Sequence, residues 1–126
     1  MFRYKKGSRV ERDLLNYFHF HGFLVVRAAG SGSNSYSPDI LVFKKGKQYA
    51  FELKAHETNI LTIKEHQFNL LKQWEKIGGI STFIVWKKSR LPYLFIPLSF
   101  LKKAKKHYNI TLENALNAYR KEDLIY

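Results

Sequence analysis

Two apolar runs, DILVFKK over 39–45 and QYAFELK over 48–54, are separated only by Gly46-Lys47. A link that short makes the two runs an antiparallel hairpin. Side chains on a strand alternate between its faces. Tyr49, Phe51 and Leu53 therefore take one face and suit a core, while Ala50, Glu52 and Lys54 share the other. Asp39 opens the first run directly after Pro38. Proline has no N–H to give to a ladder, so it marks a strand start or an edge. Paired through the turn, residues 39 and 54 lie near the same open end, with 52 close by. Two carboxylates and an ammonium then converge.

Like charges brought together repel unless a cation or a proton intervenes. Hard divalent cations such as Mg²⁺ take one or two carboxylates together with water and phosphate oxygens. Such an ion polarises a phosphoryl oxygen and acidifies bound water. Lys54 is then placed to orient that water or to stabilise charge developing on the phosphate. The plainer alternative is a solvent-facing hairpin on which Glu52 and Lys54 form a weak exposed pair.

The flanking sequence predicts a helix over 8–21, with Ser8 and Glu11 at capping-box spacing and Val10, Leu14, Leu15 and Phe18 as its apolar stripe. Gly22 ends it, a strand follows over 23–29, and residues 30–38 form a Gly/Ser-rich loop. A short strand is expected over 60–63. A helix follows over 64–77, with Phe68, Leu71, Trp74 or Glu75 and Ile77 near one face. Gly78-Gly79 stops it, and strands follow over 81–88 and 93–97. The segments 99–108 and 112–120 read as helices, the first with Lys102, Lys103, Lys105 and Lys106 on a cationic face. That face is either simply solvated or a phosphate contact. The order predicts an α/β fold: one domain over 1–126, a central mixed β-sheet flanked by helices, and a C-terminal helical segment over 101–126.

Charge narrows the partners. Twenty-two Lys+Arg against ten Asp+Glu give +12, an excess that attracts polyanions, nucleic acid first. The lysines are spread along the chain and are not gathered on an amphipathic anchor, and no apolar run is long enough for a membrane helix. No membrane role is expected. The basic N-terminus has no apolar region of the secretory type. With no cysteine, disulfides, thiol catalysis and cysteine-based zinc sites are excluded. The five histidines show no convincing zinc spacing, and His19 and His21 read as surface or helix-end residues.

The hairpin pattern, Pro38-Asp39, twelve residues, then Glu52-Leu53-Lys54, resembles the PD-(D/E)-x-K nuclease superfamily. Further residues resemble the archaeal-type Holliday junction resolvases within it, cellular or encoded by archaeal viruses. These are Glu11-Arg12 on the first helix, Gly22-Phe23 before a strand that holds Arg27, and Ser31 in the loop. Glu65-His66-Gln67, Gly78-Gly79 and Phe95-Ile96-Pro97 also fit, so the resemblance covers about residues 3–100.

That resemblance implies a structure-selective endonuclease that nicks four-way DNA junctions symmetrically, as a homodimer, leaving 5′-phosphate and 3′-hydroxyl ends. It implies Glu11, Asp39 and Glu52 as acidic metal ligands, the Leu53 carbonyl as a further ligand, and Lys54 as the catalytic lysine. The implied ion is Mg²⁺, with Mn²⁺ as a substitute. Arg12, Arg27 and Ser31 would meet DNA, as would Lys87 or Lys88, between which two ways of counting disagree. Gln67 would orient water or ligands from behind. Glu11 has a competing role in the capping box, and Arg27 could simply pair with a site carboxylate. Phe68, Trp74 and Trp86 could line a dimer surface, although core packing is the commoner fate. The implied location is the cytoplasm, with the nucleoid DNA or inside a viral host. The sequence leaves two alternatives open: a related nuclease acting on other DNA structures, and a non-catalytic DNA-binding module of the same fold.

Overall fold

The computed structural model describes residues 6–28 and 37–126. Helix α1 (Lys6–Phe20) leads into β1 (Leu24–Arg27), β2 (Ile40–Lys44) and β3 (Lys47–Ala55). Then come β4 (Ile60–Lys64), α2 (Glu65–Lys76), β5 (Ser81–Lys87) and β6 (Leu94–Pro97). The chain ends with β7 (Lys102–Ala104), β8 (His107–Thr111) and the short α3 (Leu112–Ala115), with 3-10 turns at Leu98–Phe100 and Lys121–Leu124. Five strands form a sheet ordered β1-β2-β3-β5-β6, in which β3 and β5 are parallel and the other pairs antiparallel. The remaining three form a smaller antiparallel sheet ordered β4-β8-β7.

The expected hairpin is present. Ile40 stands opposite Phe51 and Lys44 opposite Lys47, so the link is Lys45-Gly46, one residue earlier than the sequence suggested. Gly46 has φ +81°, a conformation glycine adopts without steric cost. Apolar residues on α1 recur at helical spacing, and Val10, Leu14 and Phe18 are buried against one sheet face. The Phe18 ring meets Phe23, Phe51 and Phe95 at centroid distances of 5.2, 5.1 and 6.2 Å. Leu124 and Ile125 complete this core, and the Tyr49 hydroxyl donates to the Leu124 carbonyl at 2.9 Å.

The opposite face of β3 is covered as well. A second core joins Ile84, Trp86, Leu94 and Ile96 of the large sheet to Phe68 and Leu71 of α2 and to Leu61, Ile63 and Ile110 of the small one. The hairpin face that carries Glu52 is therefore interior, and the solvent-facing alternative is wrong. Trp86 is fully buried and Phe68 nearly so, which makes them core residues and not a dimer surface.

Four expectations fail. Helix α1 already begins at Lys6, so Ser8 lies within it and does not cap it. Ile77 follows the last turn of α2 and is 83% exposed. Residues 99–108 are not a helix: after the turn at Leu98–Phe100 they form β7 and enter β8. Lysines favour helix locally. Tertiary contacts override that preference, because β8 pairs with β4 and the Tyr108 ring stacks on Phe68 at 3.6 Å. The helix expected over 112–120 ends at Ala115, where the Arg120 guanidinium donates to the carbonyls of Leu116 and Ala118 at 3.0 Å. The chain then turns so that Tyr119 bridges Phe95. The C-terminal segment is thus mostly a β-hairpin and a core-sealing turn.

Phe18 is the central ring of the first core. Phe18→Ala should lower the unfolding free energy by about 3–5 kcal/mol in a denaturant titration. A loss below about 1 kcal/mol would show that α1 is not anchored through it.

Candidate active site

The hairpin brings its acids together as the alternation requires. One register step beyond the Ile40–Phe51 pair, Asp39 lies level with Glu52. Its Oδ2 accepts the Leu53 N–H at 2.8 Å, and its backbone carbonyl accepts the Ala28 N–H at 3.0 Å. Asp39 is thereby fixed between β1 and β3. Glu52 is 9% exposed. Its Oε2 accepts from Gln67 Nε2 at 2.5 Å, and Gln67 Oε1 accepts from Lys54 Nζ at 3.1 Å. Lys54 Nζ itself stands 3.9 Å from Glu52 Oε2. Gln67, on the first turn of α2, thus ties the acid to the lysine.

Burial pushes the Glu52 carboxyl up to about 8. The Asp39 carboxylate, and a hydrogen bond to it, raise it as well, while Lys54 acts in the opposite sense. Two carboxyl groups that share a proton in a half-closed site are the condition a divalent cation relieves. The donors are hard oxygens, which suits a Mg²⁺-type ion. Asp39 and Glu52 fit such a group.

Glu11 lines the same cleft, but Arg27 Nε pairs with its carboxylate, the plainer role expected for Arg27. Among the described residues, no three acidic or histidine side chains form a ready metal cluster. The three acids named from the sequence therefore share one cleft without forming one ligand set. That cleft, of about 530 Å³, is bounded by Glu11, Arg27, Asp39, Glu52, Lys54 and Gln67.

Lys87 and Lys88 lie outside the cleft lining. The Lys87 ammonium donates to the Leu91 and Ser89 carbonyls and so braces the turn after β5. Lys88 donates to Asn59 Oδ1 at 2.7 Å on the surface. Arg12 is exposed on α1, and Ser31 lies outside the described residues.

Sequence reasoning gave no role to several cleft residues, among them His56, Thr62 and Lys64, and placed His66 only within the Glu65-His66-Gln67 match. The period-two count that joined Glu52 to Lys54 reaches His56 in one more step. Thr62 and Lys64 follow from the same alternation on β4, whose Leu61 and Ile63 point inward.

The Glu52 shift has a consequence for stability. An ordinary glutamate ionises near 4.5, and here the folded value is higher. The contribution is therefore full below the ordinary 4.5, declines as pH rises between the two values and is gone above about 8. In metal-free protein, denaturant titrations should show stability falling across this window, and Glu52→Gln should remove that fall. A variant that tracks the wild type would contradict the assignment.

Comparisons with known proteins identify the family and the fold. Residues 2–125 match the family model for archaeal Holliday junction resolvases (Hjc). The crossover junction endodeoxyribonuclease Hjc of Archaeoglobus fulgidus is 29% identical over 106 residues, covering 83% of this chain and 78% of that protein. The same-named protein of Sulfurisphaera tokodaii is 29% identical over 124 residues, covering 95% and 85%. The solved structure of Archaeoglobus fulgidus Hjc, a Holliday junction resolvase, superposes with a TM-score of 0.85 at 24% identity, covering 96% of each chain. The chain belongs to the archaeal Holliday junction resolvase family.

Proposed function

We propose that the chain resolves four-way DNA junctions by paired, symmetric, metal-dependent nicks. One observation carries the reading: Asp39, Glu52 and Lys54 converge, with Gln67 bridging the last two, on the wall of a cleft in a +12 protein. Asp39 and Glu52 would hold Mg²⁺, or Mn²⁺ in its place, with the Leu53 carbonyl as a further ligand, and Glu11 would join them only by giving up its pairing with Arg27. When bound, the ion supplies Lewis acidity toward the phosphate and an acidified water. Lys54 stabilises charge developing on the phosphoryl oxygens. Gln67 holds the Glu52 carboxyl and the Lys54 ammonium in register. Arg27 holds Glu11 and, with Arg12 and Lys88, meets phosphates, and Ser31 would be a further DNA contact. Lys87 acts by holding the 88–91 turn.

Two symmetric nicks with one site per chain call for a two-fold dimer. Among the described residues, the sheet face that α2 covers over β5 has no helix over β1 and β2. Leu24 is 74% and Val26 46% exposed there, opposite Phe43 and Leu41. That patch is where a second copy would pack. No helix among the described residues is long and apolar enough to cross a membrane. The protein would act on DNA in the cytoplasm.

With Mg²⁺, a mobile four-way junction should be nicked at paired symmetric positions, and linear duplex should be spared. Asp39→Ala and Glu52→Ala should each lower cleavage by at least about 10³-fold, the scale on which positioned charge contributes to such steps, while junction binding persists. Equal cutting of linear duplex would sink the resolvase reading. Intact junctions with wild type and Mg²⁺ would favour a binding module. Separately, Leu24→Asp with Val26→Asp should shift the sedimentation coefficient from dimer to monomer.

A further inference from the structure

The outer face of the small sheet begins at the cleft wall and extends beyond the site described above. Thr62 and Lys64 of β4 line the cleft wall and are exposed. Cross-strand neighbours share a face. Thr62 stands opposite Asn109, which stands opposite Lys102. Lys64 stands opposite His107, which stands opposite Ala104. Two rows of polar, cationic and small residues thus run outward from the cleft across three strands. Residues 102–107 are all exposed, and four of these six are lysines.

This ledge is anchored and not a loose tail. Tyr108 and Ile110 point inward, and Tyr108 stacks on Phe68. The Glu65 N–H donates to the Lys106 carbonyl at 3.1 Å, and Lys103 pairs with Glu65 at 3.1 Å. Glu65 opens the same helical turn that carries Gln67, so the ledge is tied to the element that orders the site. At the tip, Lys105 has φ +57°, a region where glycine is the usual residue. A lysine there sits against its own backbone preference.

We infer that the outer face of the β4-β8-β7 sheet, with Lys64, Lys102 and the Lys105-Lys106 tip, binds the phosphate backbone of a duplex arm leaving the cleft. Lysine offers a compact point charge and not the planar fork that reads base edges, so the contact is to phosphates and is independent of sequence. The inference rests on the junction reading above and adds to it a second contact along one arm. Such a contact distinguishes a long-armed branched substrate from a short duplex that only fills the cleft.

The test is junction binding without Mg²⁺, measured across a salt series for wild type and for Lys102→Ser/Lys105→Gly/Lys106→Ser. Lys105→Gly alone serves as the fold control, since glycine suits φ +57° and its thermal midpoint should be unchanged or higher. Removing one lysine–phosphate pairing should lower the slope of log affinity against log salt by about 0.9, so the triple variant should lower it by about 2–3. Shortening the junction arms should weaken the wild type and leave the triple variant unaffected. A folded triple variant with wild-type slope and arm-length dependence would overturn the ledge and leave the junction reading intact. A wild type that binds junctions without salt dependence would overturn both.

Discussion

The structure turns on one unfavourable contact: the Glu52 carboxyl, buried on the interior face of a central strand, against the carboxylate of Asp39. Neither group would be placed there for stability, since burying like charges costs free energy. Everything around them makes that placement possible. The Leu53 N–H holds Asp39 from one side. Gln67 satisfies Glu52 and Lys54 together. Both helices and both cores support the strand that carries them. The proton that Glu52 keeps occupies the role that a divalent cation would take over.

The two faces of the large sheet divide the work. On one, α1 and the C-terminal turn close a core of aromatic rings around Phe18 and Phe51. On the other, α2 and the small sheet cover only the strands from β3 outward. The cleft opens at that cover's edge, where Glu52, Lys54 and Thr62 meet. Beyond it lie an apolar patch on β1 and β2 and a cationic ledge on β7 and β8. The proposed dimer contact, chemistry and arm contact would thus fall on one side of the fold.

Local signals in the sequence carried the hairpin and its charged end, because a two-residue link and period-two alternation leave few other arrangements. The amphipathic helices were equally legible from their buried stripes. The strands β7 and β8 were not. Their partner β4 lies far upstream, and a run of four lysines in five residues reads locally as helix. Arg27 illustrates a finer limit. Its pairing was weighed from cost alone, but only the fold shows that Glu11 is the acid it meets. His56 is legible from strand phase, two residues beyond Lys54, although no zinc spacing points to it.

The most direct test of the account is calorimetry of Mn²⁺ or Mg²⁺ binding at about pH 7 in buffers of different ionisation enthalpy. Because Glu52 keeps its proton up to about pH 8, cation binding should release close to one proton per ion. Glu52→Gln should abolish that release. Cation binding with no proton release, or with release unchanged in Glu52→Gln, would contradict the claim that the Asp39–Glu52 pair is the metal site.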